Sequence, residues 1–128
     1  MIPSKLARQQ VKEYRELTLK QQNNKCALCG LDLELKDTVL DHNHKTGYIR
    51  GALHRFCNTY LGALENNIVR NKITPNQLTG IMQNAISYMQ SSHPILHPTY
   101  RSPEEKKAQA KIRAAKKRKA IKESKKPQ

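Results

Sequence analysis

The sequence predicts a small α+β fold in which a β-hairpin runs into a helix, with further helices flanking that core. Three observations predict it. Two short strand-like runs, Thr38-Val39-Leu40 and Tyr48-Ile49-Arg50, stand on either side of the turn-forming stretch NHKTG. Leu61, Leu64 and Ile68 then follow at helical intervals. Pairs of metal-binding residue types, Cys26 with Cys29 and His54 with Cys57, bracket the hairpin.

Each element has its own signal. Ala7, Val11, Tyr14 and Leu17 recur on one face of a helix over residues 4–20, which the polar run Gln21-Gln22-Asn23-Asn24 ends. The hairpin covers residues 38–53, with Gly47 available for a positive φ in its turn. A later helix opens at TPNQ, where Thr74 is an N-cap, Pro75 suits the first helical position and Gln77 completes a capping box. Leu78, Ile81, Met82, Ala85, Ile86 and Met89 give it a broad apolar stripe. Packing onto the core is the default use of such a stripe, and a dimer interface is the alternative. The prolines of SSHPILHPTYRSP make a linker, and His93 and His97 within it read as solvated loop residues. Ser102-Pro103-Glu104-Glu105 is a second capping signature, so the tail beyond it is expected to be helical, alone or on a partner. The chain therefore divides into an N-terminal helix (1–22), a core (23–70), an amphipathic helix (71–92), and a linker with a tail (93–128).

Composition narrows the function. Hydrophobic residues make up 37 % of the 128, with one Phe and no Trp, so a core built from them needs a further staple. No apolar run approaches the roughly 18 residues of a membrane span. Met1-Ile2-Pro3-Ser4-Lys5 turns polar at once, unlike a secretory signal. A reducing, cytoplasmic setting is expected, where paired cysteines favour a metal over a disulfide. The formal net charge is +14, and residues 101–128 alone hold 12 Lys and Arg against 3 Glu. A tail of that charge attracts polyanions by releasing their counterions. A merely solubilising tail is the competing reading, but the rest of the chain is basic too, which favours nucleic acid.

Cys26-Ala27-Leu28-Cys29 is a CxxC pair, and His54-Arg55-Phe56-Cys57 an HxxC pair. In each, a two-residue spacer lets a tight turn aim both side chains at one ion. Three thiolates and an imidazole suit tetrahedral zinc, and a complete set of four protein ligands marks a structural site. This zinc would be the staple that the thin core lacks.

Asp41, His42, His44 and Asn58 lie between and beside these pairs without being needed by them. Asp41 and His42 fall where the first strand ends, and Asn58 where the following helix begins. A hairpin followed by a helix brings those two places together. A carboxylate and an amide suit a hard ion such as Mg²⁺ or Mn²⁺, and the adjacent imidazole can take a proton from water. That equipment serves metal-assisted phosphodiester hydrolysis. Taken singly, each residue has an ordinary structural use; Asn58, for example, could simply cap the helix. Lys45, Arg50 and Arg55 flank the site, and Lys116-Lys117-Arg118-Lys119 crowd the tail, as candidate phosphate contacts. No feature encodes base-specific readout. A zinc-dependent DNA-binding module without catalysis is the rival reading.

The order of motifs resembles the recombination endonuclease VII family of bacteriophages, within the His-Me finger or HNH nucleases. The matching residues are Cys26, Cys29 and Gly30, then Asp41, His42, His44, Thr46, Gly47, Arg50 and Gly51, then Cys57, Asn58, Leu61 and Gly62, all inside residues 23–65. The resemblance implies a zinc-stapled ββα-metal core acting on DNA. It implies that His42 is the general base, that Asp41 and Asn58 hold the divalent ion, and that His44 assists near the phosphate. The expected products are a 5′-phosphate and a 3′-hydroxyl. Members that resolve branched DNA form intertwined dimers through the helices after the finger, which here would be a homodimer through residues 59–91. A phage-encoded protein would work in the cytoplasm of its bacterial host. The family usually has Cys where this chain has His54, and zinc accepts Cys₃His as it does Cys₄.

Overall fold

The α+β organisation is present in the computed structural model, which is described over residues 4–127. Residues 1–3, expected to open the N-terminal segment, and residue 128 at the end of the tail lie outside the described residues. Two antiparallel strands, β1 (Thr38–His42) and β2 (Ile49–His54), form the sheet. Four α-helices accompany them: α1 (Val11–Gln21), α2 (Arg55–Arg70), α3 (Pro75–Gln90) and α4 (Pro103–Ser124). The chain divides into two units between residues 84 and 85, inside α3. Among the described residues no helix is long and apolar enough to cross a membrane.

The hairpin of the first unit is built by its turn. Asn43 Oδ1 accepts from the Lys45 and Thr46 N–H groups at 2.9 and 3.1 Å, and Gly47 takes the positive φ of +79° that the reversal needs. Pairing runs regularly from Thr38 with His54 to Asp41 with Gly51, then jumps to His42 with Ile49. Arg50 is thus the extra residue of a β-bulge. A bulge re-aims the side chain it displaces, and here it frees Arg50 from lying opposite His42. Tyr48, expected in the second strand, falls just before it. At its other end β2 passes directly into α2.

The buried apolar residues of the described chain are Leu19, Cys26, Leu33, Ala52 and Leu53, with Cys57 and Leu61 packed against them. The stripe read on the N-terminal helix was not the buried one: Val11, Tyr14 and Leu17 are exposed and Leu19 is the residue that docks. The reason is the size of the core, which reaches only the last turn of α1. The helix also starts later than residue 4. A short 3₁₀ turn at Arg8–Gln10 precedes it, and the Gln10 side chain accepts from the Ala7 N–H at 2.8 Å.

One side chain acts as a piece of strand. Gln22 Oε1 accepts from the Ala52 N–H at 2.8 Å, while Nε2 donates to the Ala52 carbonyl at 2.9 Å and to the Lys25 carbonyl at 2.8 Å. Ala52 is completely buried, so these bonds satisfy backbone groups that water cannot reach. Gly51 makes room for the arrangement. A Cβ there would lie 3.0 Å from Gln22 Oε1 and 3.2 Å from the Ala27 Cβ.

Both capping boxes are formed. Thr74 Oγ1 accepts from the Gln77 N–H at 3.2 Å, and Gln77 Oε1 from the Thr74 N–H at 3.0 Å. Ser102 and Glu105 make the reciprocal pair at the start of α4, so the basic tail is a helix. The α3 stripe corrects the default expectation of core packing. Ile81, Met82, Ile86 and Met89 are exposed, and only Leu78 and Ala85 are half-buried. The small core is already closed by the end of α1, the hairpin and the start of α2.

Replacing Gln22 by Ala should destabilise the zinc-loaded protein by about 2 kcal/mol, because it strands buried donors and acceptors rather than only deleting bonds. Urea denaturation checks this, and a change within error of zero would show that water replaces the amide.

Candidate active site and metal centre

The four cluster residues arrive from three pieces of backbone. Cys26 and Cys29 sit in a knuckle closed by an isolated bridge between Lys25 and Asp32. Within it the Cys26 N–H donates to the Leu31 carbonyl and the Gly30 N–H to the Cys26 carbonyl, both at 2.9 Å. Gly30 makes the turn with a φ of +76°. His54 is the last residue of β2 and Cys57 lies in the first turn of α2. The knuckle is tied to the strand by the Ala27 N–H, which donates to the Ala52 carbonyl at 3.1 Å.

Their four ligand atoms all lie within 4.8 Å of one another. Cys29 Sγ is 3.4 Å and Cys57 Sγ 3.9 Å from His54 Nδ1. With zinc–sulfur bonds of about 2.3 Å, the edges of a tetrahedron are about 3.8 Å, so the spacing fits that ion. His54 Nε2 lies 2.9 Å from the Asp32 carbonyl. A carbonyl can only accept, so Nε2 carries the proton and Nδ1 presents its lone pair to the cluster. Asp32 in turn accepts from Lys25 Nζ at 2.7 Å, which steadies the segment. The sequence reading did not find Asp32, because its part is played by a backbone oxygen.

The thiols differ in readiness. Burial pushes the Cys26 thiol up, but hydrogen bonds from the Cys29, His54 and Leu28 backbone outweigh it and bring its pKa down to about 6. The Cys57 pKa is raised to about 11, by burial first and then by its interactions with the Cys29 and Cys26 sulfurs. The Cys26 thiol is therefore nearer the thiolate form that a cation takes, and Cys57 must release its proton to water as an ion binds.

The second group of residues surrounds the β1 end and the α2 start. Asp41 is buried, at 5 % exposure, and both its oxygens are taken by Arg50. Arg50 Nε donates to Oδ2 at 2.7 Å and Nη2 to Oδ1 at 3.2 Å. The same guanidinium donates to Glu65 of α2, Nη2 to Oε1 at 2.9 Å and Nη1 to Oε2 at 3.1 Å. The two carboxylates hold the Arg50 pKa well above its ordinary value, and Arg50 holds that of Glu65 below the usual glutamate value. Asp41 and Arg50 also line a shallow cavity with Leu28, Leu53 and Leu61.

His42 and His44 are exposed, with ring centroids 4.7 Å apart and planes tilted by 31°. Asn58 follows Cys57 in the first turn of α2 and is half-buried. Lys45 and Arg55 are exposed beside this region, and Lys116, Lys117, Arg118 and Lys119 are exposed along α4 in the second unit. Glu65 escaped the sequence reading. The available signal was its position two helical turns beyond Asn58, on the same face of α2.

A hairpin joined to a helix through a Cys₃His cluster defines a metal-stapled β-hairpin–helix finger. The family model of recombination endonuclease VII matches residues 4–91, and the chain belongs to that family. Membership makes it a DNA endonuclease, with a metal-binding cluster whose donors suit zinc. Among curated proteins, none matches the chain.

Replacing Cys57 by Ser should release the metal and unfold the finger, since zinc contributes on the order of 10 kcal/mol to small domains of this kind. Circular dichroism together with metal content checks this. A finger that stays folded after chelation would exclude the cluster as its staple.

Proposed function

We propose that the chain hydrolyses phosphodiester bonds of DNA with a divalent ion, Mg²⁺ or Mn²⁺, held by Asp41 and Asn58, and with His42 as general base. The observation that supports this most is placement. Asp41 and His42 finish β1, Asn58 enters α2 next to Cys57, and the cluster fixes the junction between sheet and helix. A carboxylate and an amide oxygen are the donors such an ion takes, and neither belongs to the zinc set.

His42 is exposed and adjacent in the chain to the proposed ion-holding carboxylate, so water can reach its ring. Its imidazole takes the proton from the attacking water. The bound ion would polarise the scissile phosphate and stabilise the departing oxygen. His44, whose ring centroid lies 4.7 Å from that of His42, would assist near the phosphate. The zinc cluster takes no part in the chemistry; its four protein ligands leave no open position. Cleavage would leave a 5′-phosphate and a 3′-hydroxyl, the pattern of the His-Me finger, or HNH, nucleases.

Lys45, Arg50 and Arg55 serve the phosphates near the cut, and Lys116, Lys117, Arg118 and Lys119 give α4 a cationic face for the flanking backbone. Contacts of that kind position the protein without reading sequence, which suits nicking or the resolution of branched DNA. The exposed stripe of Ile81, Met82, Ile86 and Met89 supports a homodimer through residues 59–91. The setting is the cytoplasm of a bacterial host. One observation favours the non-catalytic alternative, a zinc-dependent DNA-binding module: Arg50 already occupies both oxygens of Asp41.

The two readings part at His42. His42→Ala should lower single-turnover cleavage of supercoiled plasmid by about 10²- to 10⁴-fold while DNA affinity holds. Cleavage at the parent rate would remove His42 from the chemistry, and no metal-dependent cleavage by the parent protein would favour the binding module. Deleting residues 101–128 should weaken DNA binding and flatten its salt dependence, with cleavage retained at saturating DNA. Titrations at several salt concentrations check that slope.

A further inference from the structure

The arrangement around Asp41 contains a conflict. If Asp41 holds a divalent ion, as proposed above, the ion needs an oxygen lone pair directed at it. In this structure Nε and Nη2 of Arg50 meet the two Asp41 oxygens at 2.7 and 3.2 Å, the two-pronged geometry in which guanidinium and carboxylate fit best. Glu65 holds the guanidinium there with two more bonds. The ion and Arg50 compete for one carboxylate.

Charge suggests how the conflict resolves. Asp41, Arg50 and Glu65 together carry a net charge of −1. A divalent ion alone would make the group positive and crowd a dication against a guanidinium. A DNA phosphate alone would place a third anion around one cation. The ion and the phosphate together make the group neutral, with the guanidinium on the phosphate and the ion on Asp41. Arg50 can make this exchange. Its side chain is 33 % exposed against 5 % for Asp41, so a phosphate reaches it from solvent. As the extra residue of the bulge, it can change partner while the strand pairs on either side keep their register.

We propose that Arg50 is a substrate-released gate on Asp41: its guanidinium covers both carboxylate oxygens in the free protein, and a DNA phosphate draws it away so that a divalent ion binds more tightly alongside DNA. Arg50 is then a positioning residue for the ion as well as a phosphate contact. Glu65 is the second anchor that holds the gate shut. Because linkage is reciprocal, the ion must tighten DNA binding by the same factor by which DNA tightens ion binding.

This inference rests on the nuclease reading, and the test separates the two. Mn²⁺ binding to the full-length, zinc-loaded chain would be followed by electron paramagnetic resonance of the free ion, with and without a short DNA duplex. All arms carry His42→Ala to keep the duplex intact, and DNA alone serves as the blank. The duplex should tighten Mn²⁺ binding by about tenfold in this background. With Arg50→Gln added, Mn²⁺ should bind the DNA-free protein several-fold more tightly, and most of the gain from DNA should vanish. Arg50→Lys, which covers one oxygen at most, should move the same way by less and carries the test if the Gln variant loses its zinc or its fold. A general polyanion effect would persist in both variants, which would overturn the gate. Equal Mn²⁺ affinity with and without DNA in the starting background would overturn it as well. Absence of Mn²⁺ binding in every arm would remove the nuclease site itself, and the gate with it.

Discussion

The rest of the finger depends on four ligands meeting at the junction of knuckle, strand and helix. Only five apolar residues of the described chain are buried, and one of them, Cys26, is itself a member of the cluster. So small an interior cannot hold a hairpin and two helices in register by burial alone. A metal held by the cluster would join Cys26 and Cys29 of the knuckle to the last residue of β2 and the first turn of α2. The direction in which α2 leaves the sheet, and hence the position of Asn58 relative to the end of β1, is set at that point. An ion held by four protein ligands at that point would tie the helix to the strand and have no open position for chemistry, so folding and any reaction at the β1 end make separate demands.

Around this anchor the polar groups are arranged in layers. The Asp32 carbonyl fixes the His54 ring, and Lys25 steadies Asp32. On the other side, Gln22 and Ala27 complete the hydrogen bonding of Ala52, and Gly51 leaves the space they require. The glycine that follows Arg50 therefore has a packing role, and the arginine beside it an electrostatic one. Two neighbouring positions of one strand serve the scaffold and the site respectively.

Much of this was legible before any coordinates. The paired Cys and His spacings identified the cluster because zinc geometry admits few ways to place four ligands. The capping boxes at Thr74 and Ser102 announced two helix starts because the signal is local. What the sequence hid depended on register and on the size of the core. Arg50 reaches Asp41 through a bulge, and no alternation pattern reveals where an extra residue will enter a strand. Leu19 is buried instead of Val11, Tyr14 and Leu17 because the core touches one end of α1 only, which periodicity cannot tell. The α3 stripe had a sound helical period, yet period reports which residues share a face and not whether anything covers it. Glu65 was missed for a related reason, since its partner lies on a different element.

The amide of Gln22 has a consequence for the protein's company as well as its stability. A two-stranded ribbon ordinarily offers unpaired backbone groups along both margins, an open invitation for another chain to add a strand. Where Gln22 and Ala27 engage Ala52, that margin of β2 is already occupied. A foreign strand would have to displace an intramolecular partner before it could zip on, so the ribbon is shielded at this point against the mispairing that seeds aggregates.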